Sequence, residues 1–388
     1  MRKLLHAFQY FFTRADMLLL FLCVAASTFG IVMVASATNW MNTSRLVMIQ
    51  IAAMLIGVVL YAIFTMIDID ILAERREVLF IFNALFVALL FTPLAVEVNG
   101  NRSWLHIPGL PFNIQPPEIC KITFIILLSK TMSVHQRTIS RPTTVVQLGF
   151  HLAFLFCLIA VASRDIGSAL MYILIFLLVM WAGGVHWSWF LSGIGIAVAA
   201  APIIWASPLV KDYQRDRIMM LFDETIDPLG IDVRWHTNNS LLTLTGGGVT
   251  GQGLFNGSRT QVGALSQQHT DFIFSVIGEE LGIIGCTLVL LLLFAIIVRC
   301  IFVGIKSGNY MNRQICIGIA AMLVWQIIIN VGMCVGLTPV IGLTLPFISY
   351  GGSSVITMFA AMGIVSGIYM RPAPDSSAHY VRPPYYNA

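Results

Sequence analysis

The stretch Gln267-Gln268-His269-Thr270-Asp271-Phe272-Ile273-Phe274-Ser275-Val276-Ile277-Gly278-Glu279-Glu280-Leu281-Gly282 closes the one long polar loop of an otherwise mostly apolar chain. Three carboxylates, Asp271, Glu279 and Glu280, fall within ten residues, just where the loop gives way to an apolar run. Charge is costly to keep at such a boundary, and ionisable residues held there mark function.

The chain around it has 388 residues, of which 58% are hydrophobic and 10% charged. Its mean hydropathy is +0.86, far above that of soluble domains, so the solvent is a bilayer. The net charge of +4 is spread over the loops and points to no nucleic acid. The seven cysteines lie in or beside apolar runs, without metal-ligand spacing. They read as buried small hydrophobes with no disulfides. Arg2, Lys3 and Arg14 precede an apolar run ending Ala35-Ser36-Ala37, which resembles a signal cleavage site. That run is longer than a signal core and many spans follow, so it reads as a retained first helix.

About 20 apolar residues span a bilayer as a helix. Ten stretches qualify, roughly 16–37, 46–67, 78–96, 118–134, 145–163, 166–182, 187–207, 276–305, 314–337 and 350–370. The expected fold is an all-α polytopic membrane protein of about ten transmembrane helices. Residues 1–371 would form one membrane domain, with a long extracytoplasmic loop at 208–271 and a disordered Pro- and Tyr-rich tail at 372–388. With the N-terminus inside, the inner segments carry Arg2, Lys3, Arg14, Arg75, Arg76, Lys130, Arg137, Arg141, Arg299, Lys306, Arg313, Arg371 and Arg382. The short outer loops carry only Arg45, Arg102 and Arg164. This bias places both termini in the cytoplasm.

Five polar clusters then fall on the outer side. Asn99-Gly100-Asn101-Arg102-Ser103-Trp104 is followed by Gln115-Pro116-Pro117-Glu118-Ile119-Cys120-Lys121. Pro117 suits a helix start, which puts Glu118 and Lys121 on one face, as an ion pair or as a site for a lipid diphosphate. Asp165 lies in a charged turn, which is often only solvated. Tyr213-Gln214-Arg215-Asp216-Arg217 offers two arginines for lipid headgroups or, in forked hydrogen bonds, for a diphosphate. In the opening stretch, Thr270 or Asp271 could simply cap the following helix. Last, the run from Gly336 to Ser354 holds Pro339, Pro346 and several glycines. Broken backbone at membrane depth lines protein or a wet cavity.

Together the Asn-Gly…Arg…Trp…Gln-Pro-x-Glu-x-x-Lys, His-Thr-Asp-Phe-Ile-Phe…Gly-Glu-Glu-Leu-Gly and Leu-Pro-Phe-Ile-Ser-Tyr-Gly-Gly-Ser-Ser runs resemble the SEDS proteins (FtsW, RodA, SpoVE) over almost the whole chain. The chain departs from the family pattern at Pro117, at Ser163-Arg164 and at Ser266-Gln267. Tyr213–Met220 looks RodA-like and Gly342–Pro346 FtsW-like, so elongation, division and sporulation stay open. The resemblance implies a peptidoglycan glycosyltransferase of the bacterial cytoplasmic membrane. It would polymerise lipid II, the undecaprenyl-diphosphate-linked disaccharide-peptide, beside a class B penicillin-binding protein and other cell-wall machinery. Asp271 would be the general base that takes the acceptor hydroxyl's proton. The substrate-binding candidates are Arg102, Trp104, Glu118, Lys121, Asp165, Arg215, Arg217, Glu279, Ser349 and Tyr350. No cofactor is assigned; a divalent cation is left open, and no metal ligand is assigned. A lipid II flippase and a non-catalytic scaffold for the penicillin-binding protein are the rival readings.

The orientation is testable in intact cells. A cysteine placed at Asn256 should react with an impermeant reagent, while a tag after Ala388 stays protected. The reverse pattern would invert the topology.

Overall fold

The computed structural model describes residues 11–98, 101–109, 112–206 and 234–371, with the isolated positions 215, 216, 219, 220, 223 and 227. The 372–388 tail, Arg217 and much of the long loop lie outside the described residues. In chain order the helices are α1 (Met17–Thr38), α2 (Arg45–Met66), α3 (Ile69–Glu74), α4 (Arg76–Ala88), α5 (Pro116–Val134), α6 (Pro142–Ser163), α7 (Ile166–Ala182) and α8 (Trp187–Ala206). They continue with α9 (Trp235–Thr245), α10 (Ile273–Lys306), α11 (Tyr310–Cys334) and α12 (Gly352–Met370). Among the described residues, six helices are long and apolar enough to cross a membrane: α1, α2, α6, α10, α11 and α12. α7 and most of α8 are shorter apolar helices. The protein is therefore an all-α polytopic membrane protein.

The expected third span is the main correction. In place of a helix over 78–96, α4 stops at Ala88 and a short 3₁₀ turn runs to Phe91. Pro93 disfavours helical backbone at Thr92, and the Thr92 hydroxyl closes the end by donating to Leu89 O at 2.6 Å. The chain then forms a hairpin, β1 (Ala95–Val98) and β2 (Asn101–Leu105), with Val96 opposite Trp104. An apolar run alone does not separate a helix end from a strand.

Lipid cannot replace water as a helix glue, so close backbone approach does that work. α2 and α12 meet through small residues. A Cβ at Gly363 would lie 2.6 Å from Tyr61 O, and one at Gly57 would lie 2.6 Å from the Phe359 ring. α8 is the opposite case: none of its described residues is buried, and only its start, at Trp189 and Phe190, packs against the core among the described residues. At one end of the bundle Asp16 ties four helices together. It caps α1 through Leu19 N at 3.1 Å and takes a forked pair from Arg299 of α10 at 2.8 and 3.1 Å. Its backbone bonds Tyr61 of α2 at 2.7 Å and Ser366 of α12 at 3.1 Å.

Two breaks shape the other end. α10 kinks at Gly282, where φ is 66° and ψ −164°. Residues 247–253 fill the gap like a splice. Gln252 N and Gly253 N donate to Glu279 O and Glu280 O at 2.9 Å. Ile283 N and Ile284 N donate back to Gly248 O and Val249 O at 3.1 and 3.3 Å. The second break is the 335–351 loop, which dips beside α1. A Cβ at Gly30 would lie 2.6 Å from Ile348 O, about 12 Å below the end of α1 at 1.5 Å per residue.

Gly282→Ala tests the splice. The new Cβ would meet Val249 O at 2.3 Å and Gly251 N at 2.5 Å. The backbone strain alone costs about 1–3 kcal/mol. The expected outcome is a clearly lower unfolding midpoint in detergent, with Gly149→Ala, where a Cβ meets nothing within 4 Å, as the neutral control.

Candidate active site

A cavity of about 890 Å³ opens at the end of the bundle away from Asp16. Its wall is assembled from seven places: the start of α2, the hairpin and the segment after it, the start of α5, the turn before α7, His236 of α9, and the two broken segments at 266–272 and 340–354. Asp271, Asp165 and Glu118 are the carboxylates on this wall. Trp104, Phe112 and Tyr350 give it aromatic faces. Among the described residues, Arg45 is the one arginine or lysine that lines it.

Asp271 does not cap α10. The N-cap position is Phe272, with no side-chain cap bond, so the Asp271 carboxylate is left to the cavity. Burial pushes its pKa up to about 6; the Thr270 hydroxyl opposes the rise and the charge of Asp165 adds to it. A Cβ built on Gly342 would lie 3.6 Å from Asp271 Oδ2, so the broken loop backs directly onto the carboxylate.

The backbone at Asp271 is fixed one carbonyl at a time. His269 O accepts from Tyr350 N at 2.8 Å. Thr270 O accepts from the Ser349 hydroxyl at 2.6 Å. Asp271 O accepts from Asn330 Nδ2 at 2.9 Å. The His269 ring tilts against Tyr350 with centroids 5.6 Å apart. Burial lowers its pKa, so the imidazole is neutral at pH 7. Phe272 is buried and stacks flat on His236 of α9, at 6.2 Å and 6°.

With this geometry in view, comparison with known proteins is decisive. Residues 16–372 match the family model described as cell cycle protein, that of FtsW, RodA and SpoVE. The chain belongs to the FtsW/RodA/SpoVE family. Family relatives include the peptidoglycan glycosyltransferase MrdB of Escherichia coli strain K12, 34% identical over 70% of this chain and 71% of that protein. A probable peptidoglycan glycosyltransferase FtsW of Geobacter sulfurreducens is 32% identical over 92% of this chain and 96% of that one. Among solved structures, a chain from a peptidoglycan synthase complex that coordinates polymerization and crosslinking superposes with a TM-score of 0.79 at 27% identity, covering 93% and 99% of the two chains. The rod shape determining protein RodA of Thermus thermophilus gives 0.69 at 26%, covering 93% and 98%.

In this member of the FtsW/RodA/SpoVE family, the residues singled out from sequence separate into two groups. Asp271, Trp104, Glu118, Asp165 and Tyr350 share the cavity wall. Asp165 also caps α7, its Oδ1 accepting from Ser168 N at 3.0 Å, while Oδ2 accepts from the Ser168 and Ser103 hydroxyls at 2.7 and 3.2 Å. The other described residues do not line the cavity. Arg102 turns back to Thr92 O at 2.9 Å. Lys121 is buried and paired with Glu118 Oε1 at 2.6 Å, so the plain ion-pair reading holds for it. Ser349 is spent on Thr270 O and Leu345 N. Arg215 is half-buried off the wall, and Arg217 lies outside the described residues.

Glu279 is fully buried away from the cavity. It accepts from Arg259 N and Thr260 N at 2.9 Å and from the Thr260 hydroxyl at 2.6 Å. It therefore anchors the loop at 258–260. Thr260 O in turn accepts from Gln268 Nε2 at 3.0 Å, three residues before Asp271. Neighbouring Glu280 takes the Ser36 hydroxyl at 2.6 Å and Gln261 Nε2 at 3.0 Å. Arg45 and Asn330 carried no such signal in sequence: the first counted only as a topology charge, and the second is one polar residue in an apolar run. Among the described residues no three His, Cys, Asp or Glu side chains converge as a metal site.

Glu279→Gln keeps the shape but turns an amide NH₂ toward N–H donors. Leaving a buried donor unsatisfied costs about 1–3 kcal/mol. The measurement is amide hydrogen exchange, which should speed up at Arg259 and Thr260 while α12 stays protected.

Proposed function

We propose that this chain is a peptidoglycan glycosyltransferase that polymerises lipid II at the outer face of the bacterial cytoplasmic membrane, with Asp271 as general base. The observation that carries the reading is a carboxylate free of any capping duty, held on a cavity wall with its pKa raised to about 6. An ordinary aspartate, near 3.9, is a weak base; a raised one is poised to take a proton near neutral pH. The names of the relatives give the reaction class.

In this reading a sugar hydroxyl of the acceptor lies within hydrogen-bond reach of Asp271. Asp271 takes its proton as the oxygen attacks the donor's anomeric carbon. The bond from that carbon to the diphosphate breaks, and the diphosphate leaves with its electron pair. Its charge needs fixed cations. Arg45, the first residue of α2, meets this need at the depth of lipid headgroups. Leu46 and Ile49 beside it offer the apolar wall along which the undecaprenyl chain runs into the bilayer. Trp104 and Tyr350 give faces for the sugars.

The charge bias supports cytoplasmic termini, and residues 1–371 as one membrane domain with the 208–271 loop outside. The likeness to a synthase complex supports a crosslinking partner of the class B penicillin-binding type. A flippase needs polar groups along a path through the bilayer. Here the cavity's carboxylates Asp271, Asp165 and Glu118 gather at one end, and the Asp16–Arg299 pair ties the helices together at the other.

The test is purified protein with its partner and lipid II, with glycan resolved by gel. Asp271→Asn should leave expression and partner binding intact and lower polymerisation roughly 10²-fold or more. In the unaltered protein kcat should fall as pH drops through about 6, because the protonated carboxyl cannot accept a proton. Robust polymer from the Asn variant would end the proposed role.

A further inference from the structure

Asn330 lies on α11, inside the bundle, and is fully buried. Its amide nitrogen carries two hydrogens and uses both. One goes to Asp271 O at 2.9 Å and the other to Leu343 O at 2.7 Å. These two carbonyls belong to the two broken segments that face each other across the Asp271 carboxylate. Gly342, next to Leu343, is the residue whose Cβ would lie 3.6 Å from Asp271 Oδ2. One side chain therefore sets the spacing between the segment that bears the base and the segment that backs it. The other end of the amide is left over: Asn330 Oδ1 is buried without a hydrogen-bond partner. An orphaned buried acceptor is unfavourable, so a purely structural position in an apolar helix favours an apolar residue. Two donors aimed at two irregular carbonyls explain why an amide stands here. One turn on, Cys334 Sγ approaches the same Asp271 O at 3.8 Å, so α11 meets this carbonyl from two successive turns.

We propose that Asn330 is a positioning residue for glycan polymerisation: its amide pins Asp271 to the 340–345 segment and holds the carboxylate at the geometry and in the dry environment that proton transfer needs. The inference rests on Asp271 being the base, as proposed above. Asn330 touches no substrate; it acts through the main chain of Asp271. A displacement of about 1 Å in a reacting group can lower rate roughly 10²-fold.

The experiment uses the full chain with its partner and lipid II, comparing Asn330→Leu, Asn330→Ser and Asp271→Asn, alone and combined. Leu keeps the forked outline of Asn, with bulkier ends, and removes both donors. Ser keeps one donor, so it folds more readily and should recover part of the rate. The expected result for Asn330→Leu is kcat lower by roughly 10- to 10²-fold with KM within about twofold. The acidic limb of its kcat profile should also move from about 6 toward the ordinary carboxylate value of about 4, because a released Asp271 turns to water. In the double variant, Asn330→Leu should add almost nothing to the loss from Asp271→Asn, since both act on one group.

Three outcomes overturn the proposal. The first is normal kcat in Asn330→Leu while Asp271→Asn is inactive; the reading of Asp271 then stands and the role of Asn330 falls. The second is a lower rate with an unmoved acidic limb and full multiplication in the double variant, which marks general destabilisation. The third is robust activity in Asp271→Asn, which removes the base itself and is read separately from the other two. If Asn330→Leu does not fold, the Ser variant decides by the same limb and the same coupling.

Discussion

The bilayer offers no partner for an unpaired backbone group, and this constraint governs the molecule. Regular helices satisfy it through most of the structure. At one end the chain departs from helix at membrane depth, and each departure there needs a substitute partner. The kink at Gly282 has residues 247–253 laid into it. The 335–351 loop is pinned by Gln50, whose amide takes Gly351 N and gives to Ser349 O. Asp271 O and Leu343 O share Asn330. The site exists because these partners let irregular backbone, with its aimed side chains, survive where helix is the default.

Electrostatics divides the two ends in the same way. At the Asp16 end a buried carboxylate is neutralised by a forked guanidinium, which holds helix ends together and presents no reactive group. At the cavity end Asp271 has no such partner, and its charge is disfavoured by burial and by Asp165. One carboxylate is spent on an ion pair and the other is left without one, its pKa raised. The difference lies in the neighbours, since both are aspartates near the end of a membrane helix.

Much of the fold was legible in sequence, because long apolar runs bounded by charge report membrane helices directly. Nine of the ten expected spans coincide with a helix, with ends shifted by a few residues. The misread of the third span had a local cause: the apolar run through Leu94-Ala95-Val96 looks the same as a helix or as one side of a hairpin. Pro93 was the available signal. The site was legible where motif residues project into the cavity, as Asp271, Glu118, Asp165, Trp104 and Tyr350 do. It was not legible where a residue's role depends on which neighbour it meets. Arg102 and Lys121 carry the right charge but are committed to Thr92 O and Glu118. Glu279 has the right chemistry but faces a loop. Asn330 and Arg45 show what they face only after α11 and α2 are placed beside segments far away in the chain.

The splice at Gly282 also bears on the order in which the chain assembles. It joins residues about thirty apart in sequence, so it cannot form until both sides have been made. Without the docked loop the carbonyls of Glu279 and Glu280 lose these partners, and an unbroken helix over 273–306 best satisfies the backbone. Such a helix would be about 50 Å long, well beyond the roughly 30 Å hydrocarbon core. Docking of the glycine-rich loop shortens it by diverting its upper turns out of line. The segment that bears Asp271 therefore keeps the place seen here only while the 247–253 loop is docked. A cavity wall built at 266–272 thus depends on a loop that does not itself line the cavity.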